Sequence, residues 1–165
     1  MGHFLKDLED SKVAVDVVKT FLNKLHKGPY KVTIADLEKE RQSEGDIEVT
    51  SNSGISYRVE IKYDKMAQKT GNLCFETHNK KGKLTGISST EAEEVFYVVP
   101  GDKGFTLYMF ITEDLKAYLF DDANISKFRS VNGGDRFATC MLLVKREVIE
   151  KDGVAYRVEH INAKL

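Results

Sequence analysis

The chain has 165 residues, 41% hydrophobic and 31% charged, with a formal net charge of -1. These values suit one compact domain spanning residues 1–165, with enough core to need no disulfide staples; they exclude wholesale disorder and a polycation that coats nucleic acid indiscriminately. No apolar run approaches a membrane span, and the opening MGHFLKDLEDSK lacks the apolar core of a secretory signal, so a cytosolic protein is expected. Cys74 and Cys140 form no CxxC and have no His at ligand spacing, which predicts two buried, reduced thiols.

From Leu5 to Leu25 the residues Leu8, Val15, Val18, Leu22 and Leu25 recur at three- and four-residue spacing, predicting an amphipathic leading helix closed by Gly28 and Pro29. Tyr30 to Ala35 alternates as a short strand, and Asp36 to Gly45 reads as a charged connection. Strands are predicted over Asp46 to Thr50 and Ser56 to Tyr63, joined by the turn-rich Ser51-Asn52-Ser53-Gly54, with a third over Asn72 to Thr77 and a polar loop HNKKGK after it. Ser88 and Glu91 have capping-box spacing for a short helix before VFYVV, an apolar run of the kind buried on both faces of a sheet.

Phe105 to Ile111 reads as a further strand, and Thr112, followed by Glu113 and Asp114, as the cap of a helix through Phe120. NISKFRSVNGGDRF reads as a basic loop, ATCMLLVKR as a strand, and the chain as ending in a hairpin with YRVEHI. The expected class is α/β (α+β), a central mixed sheet flanked by helices behind a leading N-terminal helix.

In YRVEIKY, Tyr57, Val59, Ile61 and Tyr63 alternate with Arg58, Glu60 and Lys62, so Glu60 and Lys62 share a face. Two registers with the preceding strand keep the apolar faces aligned. In one, Ile47 faces Val59 and Asp46 lies opposite Glu60, about 5 Å away. The other, slipped by two residues, pairs Asp46 with Arg58 as a surface salt bridge. Facing carboxylates call for a shared proton or a cation, and hard oxygen donors suit Mg²⁺ or Mn²⁺. A divalent ion held by Asp46 and Glu60 would lower the pKa of bound water and neutralise a phosphate oxygen, with Lys62 orienting that water or meeting the developing charge. The chemistry is then phosphodiester hydrolysis, and the basic residues that follow would hold the polyanion.

Asp46 followed by Glu60-Ile61-Lys62 on the next strand, behind a leading helix, resembles the PD-(D/E)xK nuclease superfamily, with its restriction-endonuclease-like fold. TGNLCFET at 70–77, SSTEAEEVFYVV and the GGD at 133–135 are similar to a small phage and bacterial branch of it, over roughly residues 46 to 145. The resemblance implies Mg²⁺-dependent DNA cleavage, with Asp46, Glu60 and Lys62 as the catalytic core, and Asp46, Glu60 and the Ile61 backbone carbonyl as metal ligands. Gly45 stands where the motif's name places Pro, and the acidic residue that many members carry on the first helix has candidates in Asp16 and Asp7.

With Leu73 and Phe75 facing the core, Asn72 and Glu76 would share the side of Glu60 and Lys62 if the strands pair; Glu76 is then a further ligand or a charge partner for a lysine. Lys65, Lys69, Thr70, Asn72, Lys80, Lys81, Lys83, Arg129 and Arg136 are the candidate nucleic-acid contacts, with Gly71 allowing close backbone approach. His78 and His160 have no partner motif and read as surface or sheet-edge residues, and the aromatics of FTLYMF and VFYVV as core.

The leading expectation is an endodeoxyribonuclease acting on branched DNA or a specific duplex site, as a homodimer because two strands need two sites. The rival is a noncatalytic nucleic-acid-binding domain of the same fold. A glycosidase using Glu60 and Glu76 is disfavoured, because Trp is absent and Lys62 stands beside Glu60.

Overall fold

The computed structural model describes residues 2–25, 30–34, 45–51, 53–133 and 138–162, with the backbone alone at 2–11 and 30–34. The helix α1 (Gly2–Leu25) turns Ala14, Val17, Val18, Phe21 and Leu22 onto one buried stripe. It is followed by an antiparallel meander of β1 (Tyr30–Ile34), β2 (Ile47–Ser51) and β3 (Ser56–Tyr63). The crossover leaving β3 holds α2 (Lys65–Thr70), β4 (Asn72–Asn79) and a single 3-10 turn at Gly86–Ser88, and ends in β5 (Glu94–Gly101), which runs parallel to β3.

The strand β6 (Gly104–Ile111) returns antiparallel to β5. Then come α3 (Thr112–Phe120), α4 (Asp122–Ile125), β7 (Arg129–Gly133), β8 (Thr139–Lys145), α5 (Arg146–Asp152) and β9 (Arg157–Ile161). Two sheets result, a mixed six-stranded one in the order β1-β2-β3-β5-β6-β9 and an antiparallel three-stranded one in the order β4-β8-β7.

The larger sheet is covered on both faces. On one, Ile47, Val49, Val59, Phe96, Val98, Leu107 and Met109 pack against the stripe of α1. On the other, Val95, Tyr97, Val99, Tyr108 and Phe110 meet Leu73 and Phe75 of β4, Leu142 and Val144 of β8, and Leu115, Leu119 and Ile149 from the helices. All of VFYVV is therefore buried, as expected for a strand between two layers, and each such side chain contributes about 1.5–3 kcal/mol on burial.

Several expectations need correction. The strand carrying TGN does not join the sheet of the catalytic-candidate strand; β4 pairs with β8, and β5 takes the place beside β3. Ser88 to Glu91 is no helix, since only the 3-10 turn forms and Thr90 and Ala92 are buried in irregular chain after it. Residues 129–133, expected in a loop, form the edge strand β7, and the final hairpin is interrupted by α5, which sends β9 to the other sheet. Thr112 is the first helical residue rather than the cap, and its buried hydroxyl has no partner among the described residues. Leu25 is exposed, while Phe21 and Val17 take its expected place in the core. Residues 26–29, 35–44 and 134–137 lie outside the described residues.

Gly86 lies in the left-handed region at φ +52°, and a Cβ there would sit 2.6 Å from the Glu76 Cβ and 2.9 Å from the Glu76 backbone oxygen. Gly82 is also left-handed, at φ +77°, but has nothing within 4 Å. Gly82→Ala should therefore cost about 1 kcal/mol, and Gly86→Ala about 3 kcal/mol because backbone must also move. Urea denaturation of the two variants checks the difference.

Candidate active site

The register of β2 and β3 pairs Ile47 with Val59, Glu48 with Arg58 and Val49 with Tyr57, and the Asp46 amide donates to the Val59 carbonyl at 2.9 Å. This is the register that sets Asp46 opposite Glu60, and the slipped alternative is excluded. Its competitor failed because Arg58 is already engaged. Its amide and guanidinium both donate to Glu93 at the start of β5, at 2.7 and 3.2 Å, and Nη2 also reaches the Glu91 carbonyl at 3.0 Å. Burial pushes the Glu93 carboxyl up, but the hydrogen bonds from Arg58 outweigh it and hold that carboxyl below its usual range.

Asp46 Oδ2 accepts from the Ile61 amide at 2.5 Å, so the carboxylate fills the ladder position that β2 leaves vacant as it begins. Gly45, just before it, has φ +103°. Proline cannot adopt that angle, and a Cβ would stand 3.1 Å from the Val59 carbonyl oxygen, so this chain needs glycine where the motif's name has Pro. Because Val59 and Ile61 pack towards α1, Glu60 and Lys62 point towards the layer that contains β4.

From that layer Glu76 meets Lys62, Oε1 to Nζ at 3.2 Å, with both side chains about one third exposed (31% and 36%). Leu73 and Phe75 face the core as expected. Glu76 is thus a charge partner for the candidate catalytic lysine itself, reached across two sheets rather than within one. Thr90, buried behind the site, directs its hydroxyl at Glu60 Oε2 at a long 3.5 Å, while its carbonyl accepts from Lys116 Nζ at 2.8 Å.

An open cleft of about 600 Å³ runs along these groups, lined by Asp46, Glu60, Lys62, Glu76 and the Lys65–Met66 start of α2, with Ala14 and Val15 of α1 as a further wall. Asp64 fixes that helix. Its Oδ1 caps the Met66 and Ala67 amides at 2.8 and 3.1 Å, and its Oδ2 accepts from the Tyr97 hydroxyl at 2.6 Å. That hydroxyl also accepts from the Cys74 amide at 2.8 Å. Burial first, then the Asp64 charge, raises the Tyr97 phenol far above its usual range and the Cys74 thiol to about 11. Asp64 is therefore a structural carboxylate, although it shares a strand face with Glu60 and Lys62. Both cysteines are free and only half-buried, a correction to the expected burial.

Asp46, Glu60 and the Ile61 carbonyl supply hard oxygen donors of the kind Mg²⁺ takes. Among the described residues, no three Asp, Glu, His or Cys side chains gather at metal-ligand spacing. Asp16 is exposed and does not line the cleft; the Asp7 side chain and Arg136 lie outside the described residues. Lys65 lies over the Tyr63 ring at 5.8 Å, at the cleft wall. Lys69 is exposed in the last turn of α2, and Thr70 and Asn72 line a different cleft beyond it. Lys80, Lys81 and Lys83 are exposed on a turn in which Asn79 Oδ1 accepts from the amides of Lys81 and Lys83, and Arg129 is exposed on β7. His78 and His160 are exposed, each with Nδ1 near a threonine hydroxyl.

Sequence reasoning missed Asp64, Tyr97 and Glu93. Asp64 carried a signal, an acidic residue just before a helical KMAQKT closed by Gly71; Glu93 carried none, because its partner is 35 residues away. Tyr97→Phe should cost about 2 kcal/mol in urea denaturation, since it leaves Asp64 Oδ2 and the Cys74 amide short of a partner. No family model, curated protein or solved structure matches this chain.

Proposed function

We propose that the chain is a Mg²⁺-dependent endodeoxyribonuclease of the PD-(D/E)xK type. The observation that carries the reading is the β2–β3 register, which brings Asp46 opposite Glu60 in an open cleft beside Lys62. The mixed sheet behind a leading helix agrees with the fold class that the resemblance implies.

On this reading Asp46, Glu60 and the Ile61 carbonyl hold the ion, which would supply an activated water and a counter-charge for the phosphate when bound. The Ile61 amide donates to Asp46 Oδ2 and so fixes the orientation of that carboxylate. Lys62 carries the cation that orients the attacking water or meets charge on the phosphorane, and Glu76 aims it. Lys65 and Lys69 on α2, and Lys80, Lys81 and Lys83 on the turn after β4, would hold backbone phosphates, as would Arg129. Two copies of the chain per duplex follow from one site per chain.

The test is incubation with plasmid, single-stranded DNA and a four-way junction in Mg²⁺, Mn²⁺ or EDTA. Metal-dependent cutting supports the reading, and the preferred substrate separates junction resolution from site-specific cleavage. DNA binding without cutting would favour the noncatalytic domain instead.

Asp46→Ala, Glu60→Ala and Lys62→Ala should each lower the cleavage rate at least about a hundredfold while thermal unfolding stays cooperative. Wild-type activity in any one of them removes that residue from the mechanism. Glu76→Gln should lower kcat by about tenfold with KM little changed, because it weakens the hold on Lys62 without touching substrate.

A further inference from the structure

The second cleft, about 510 Å³, opens where the end of α2, the start of β4 and the β8–α5 junction meet, with Asn72, Lys145 and Arg146 on its wall. The elements are tied there: Asn72 pairs with Lys145, and the Arg146 amide donates to the Gly71 carbonyl at 2.9 Å. Arg146 is half-buried, its Nε donates to the Tyr108 hydroxyl at 2.7 Å, and its guanidinium carbon lies 5.5 Å from that ring's centre. Tyr108 in turn donates to Glu150 Oε1 at 2.6 Å. Burial and the bond to Glu150, against the opposing pull of Arg146, raise the Tyr108 phenol to about 12, so it stays protonated and the relay persists at neutral pH.

A guanidinium held by Nε and ring face keeps its terminal fork in one orientation. Among the described residues neither terminal nitrogen of Arg146 meets an acceptor. Such a fork suits a phosphate, which it can grip with two parallel hydrogen bonds. The acids of the cleft are already met, Glu150 by Tyr108 and Glu147 by Lys145 at 3.4 Å in a solvent-exposed pair that gives way readily to a stronger anion. The Asn72 amide donates to the Thr70 carbonyl with one hydrogen, at 3.2 Å, and has a second. The Thr70 hydroxyl is spent on the Met66 carbonyl, so the phosphate role expected for it passes to its neighbours.

The same short helix borders both clefts, Lys65 and Met66 at one end and Thr70 at the other, with the exposed Lys69 between. Five residues of α-helix rise only about 7.5 Å, so one strand can reach both clefts within a few nucleotides. We propose that the Asn72–Lys145–Arg146 cleft binds a backbone phosphate of the strand being cut, one to three nucleotides from the scissile one. This rests on the nuclease reading.

The experiment is a scan of single neutral methylphosphonate linkages along the best-cut oligonucleotide, read as binding in EDTA and as cleavage in Mn²⁺. One linkage, one to three nucleotides from the cut, should weaken binding by about tenfold when neutralised. In Arg146→Gln that linkage should lose its effect, and the slope of log K against log salt should fall by about 1. Because Arg146→Gln also unseats Tyr108, Lys145→Gln and Asn72→Ala, which leave the Tyr108–Glu150 bond intact, should each reduce the sensitivity of the same linkage.

A wild-type chain that cuts yet shows no sensitive linkage beyond the scissile one overturns the inference and leaves the nuclease standing. So does an unchanged pattern in all three variants. Inorganic phosphate that raises Tm in wild type but not in Arg146→Gln, with a flat scan, would assign the cleft to free phosphate and overturn the strand. A chain that neither binds nor cuts any of these substrates overturns both readings.

Discussion

The pairing of Ile47 with Val59 is the constraint on which the candidate site depends. Both side chains are fully buried against α1, so the core fixes which face of each strand turns inward. A slip of two residues would preserve the inward face, but it would leave the Ile61 amide without the Asp46 carboxylate and set Asp46 against an Arg58 that Glu93 already engages. The placement of Asp46 opposite Glu60 thus follows from apolar packing and from an Arg58 already held by Glu93. Sheet register is strongly specified only where one face is buried, and here the burial is complete.

The second requirement is the docking of one sheet on the other. Glu76 reaches Lys62 because Leu73 and Phe75, its neighbours on β4, are buried against Val95, Tyr97 and Phe110. Phe75 meets the rings of Tyr97 and Phe110 edge-on at 5.5 and 6.2 Å, contacts that fix the strand along its length as well as in depth. Gly86 lets the following chain press directly on the Glu76 backbone. The lysine's orientation is therefore a property of interlayer packing, and loosening that packing would alter the site before the larger sheet unfolds.

Much of this was legible in the chain. Alternation placed Glu60 and Lys62 on one face and Leu73 and Phe75 on the other, and the unbroken VFYVV run announced a strand covered on both sides. The largest failures share one cause, long-range pairing. Nothing local says that Asn72–Asn79 joins Thr139–Lys145 and not the strand it follows, nor that Arg157–Ile161 crosses back to the first sheet. Arg129–Gly133 looked like a loop because its basic, glycine-rich sequence suits an exposed edge strand equally well. The register was left open for the same reason, since Glu93 decides it from 35 residues away.

Charge gives a final argument about how such a site would work. Asp46, Glu60, Asp64 and Glu76 line the cleft against Lys62 and Lys65, a surplus of two negative charges. Asp64 is answered by two amides and a phenol and Glu76 by Lys62, while Asp46 Oδ2 accepts from the Ile61 amide and Glu60 Oε2 lies 3.5 Å from the Thr90 hydroxyl. On the nuclease reading, a divalent cation held by Asp46 and Glu60 would offset the surplus and make the cleft neutral enough to admit a phosphate. On that reading Lys69 of α2 and the lysines of the turn after β4, which do not line the cleft, would attract the strand without neutralising the carboxylates. Affinity for the strand and affinity for the metal are thus carried by different residues, and each can be altered while the other is kept.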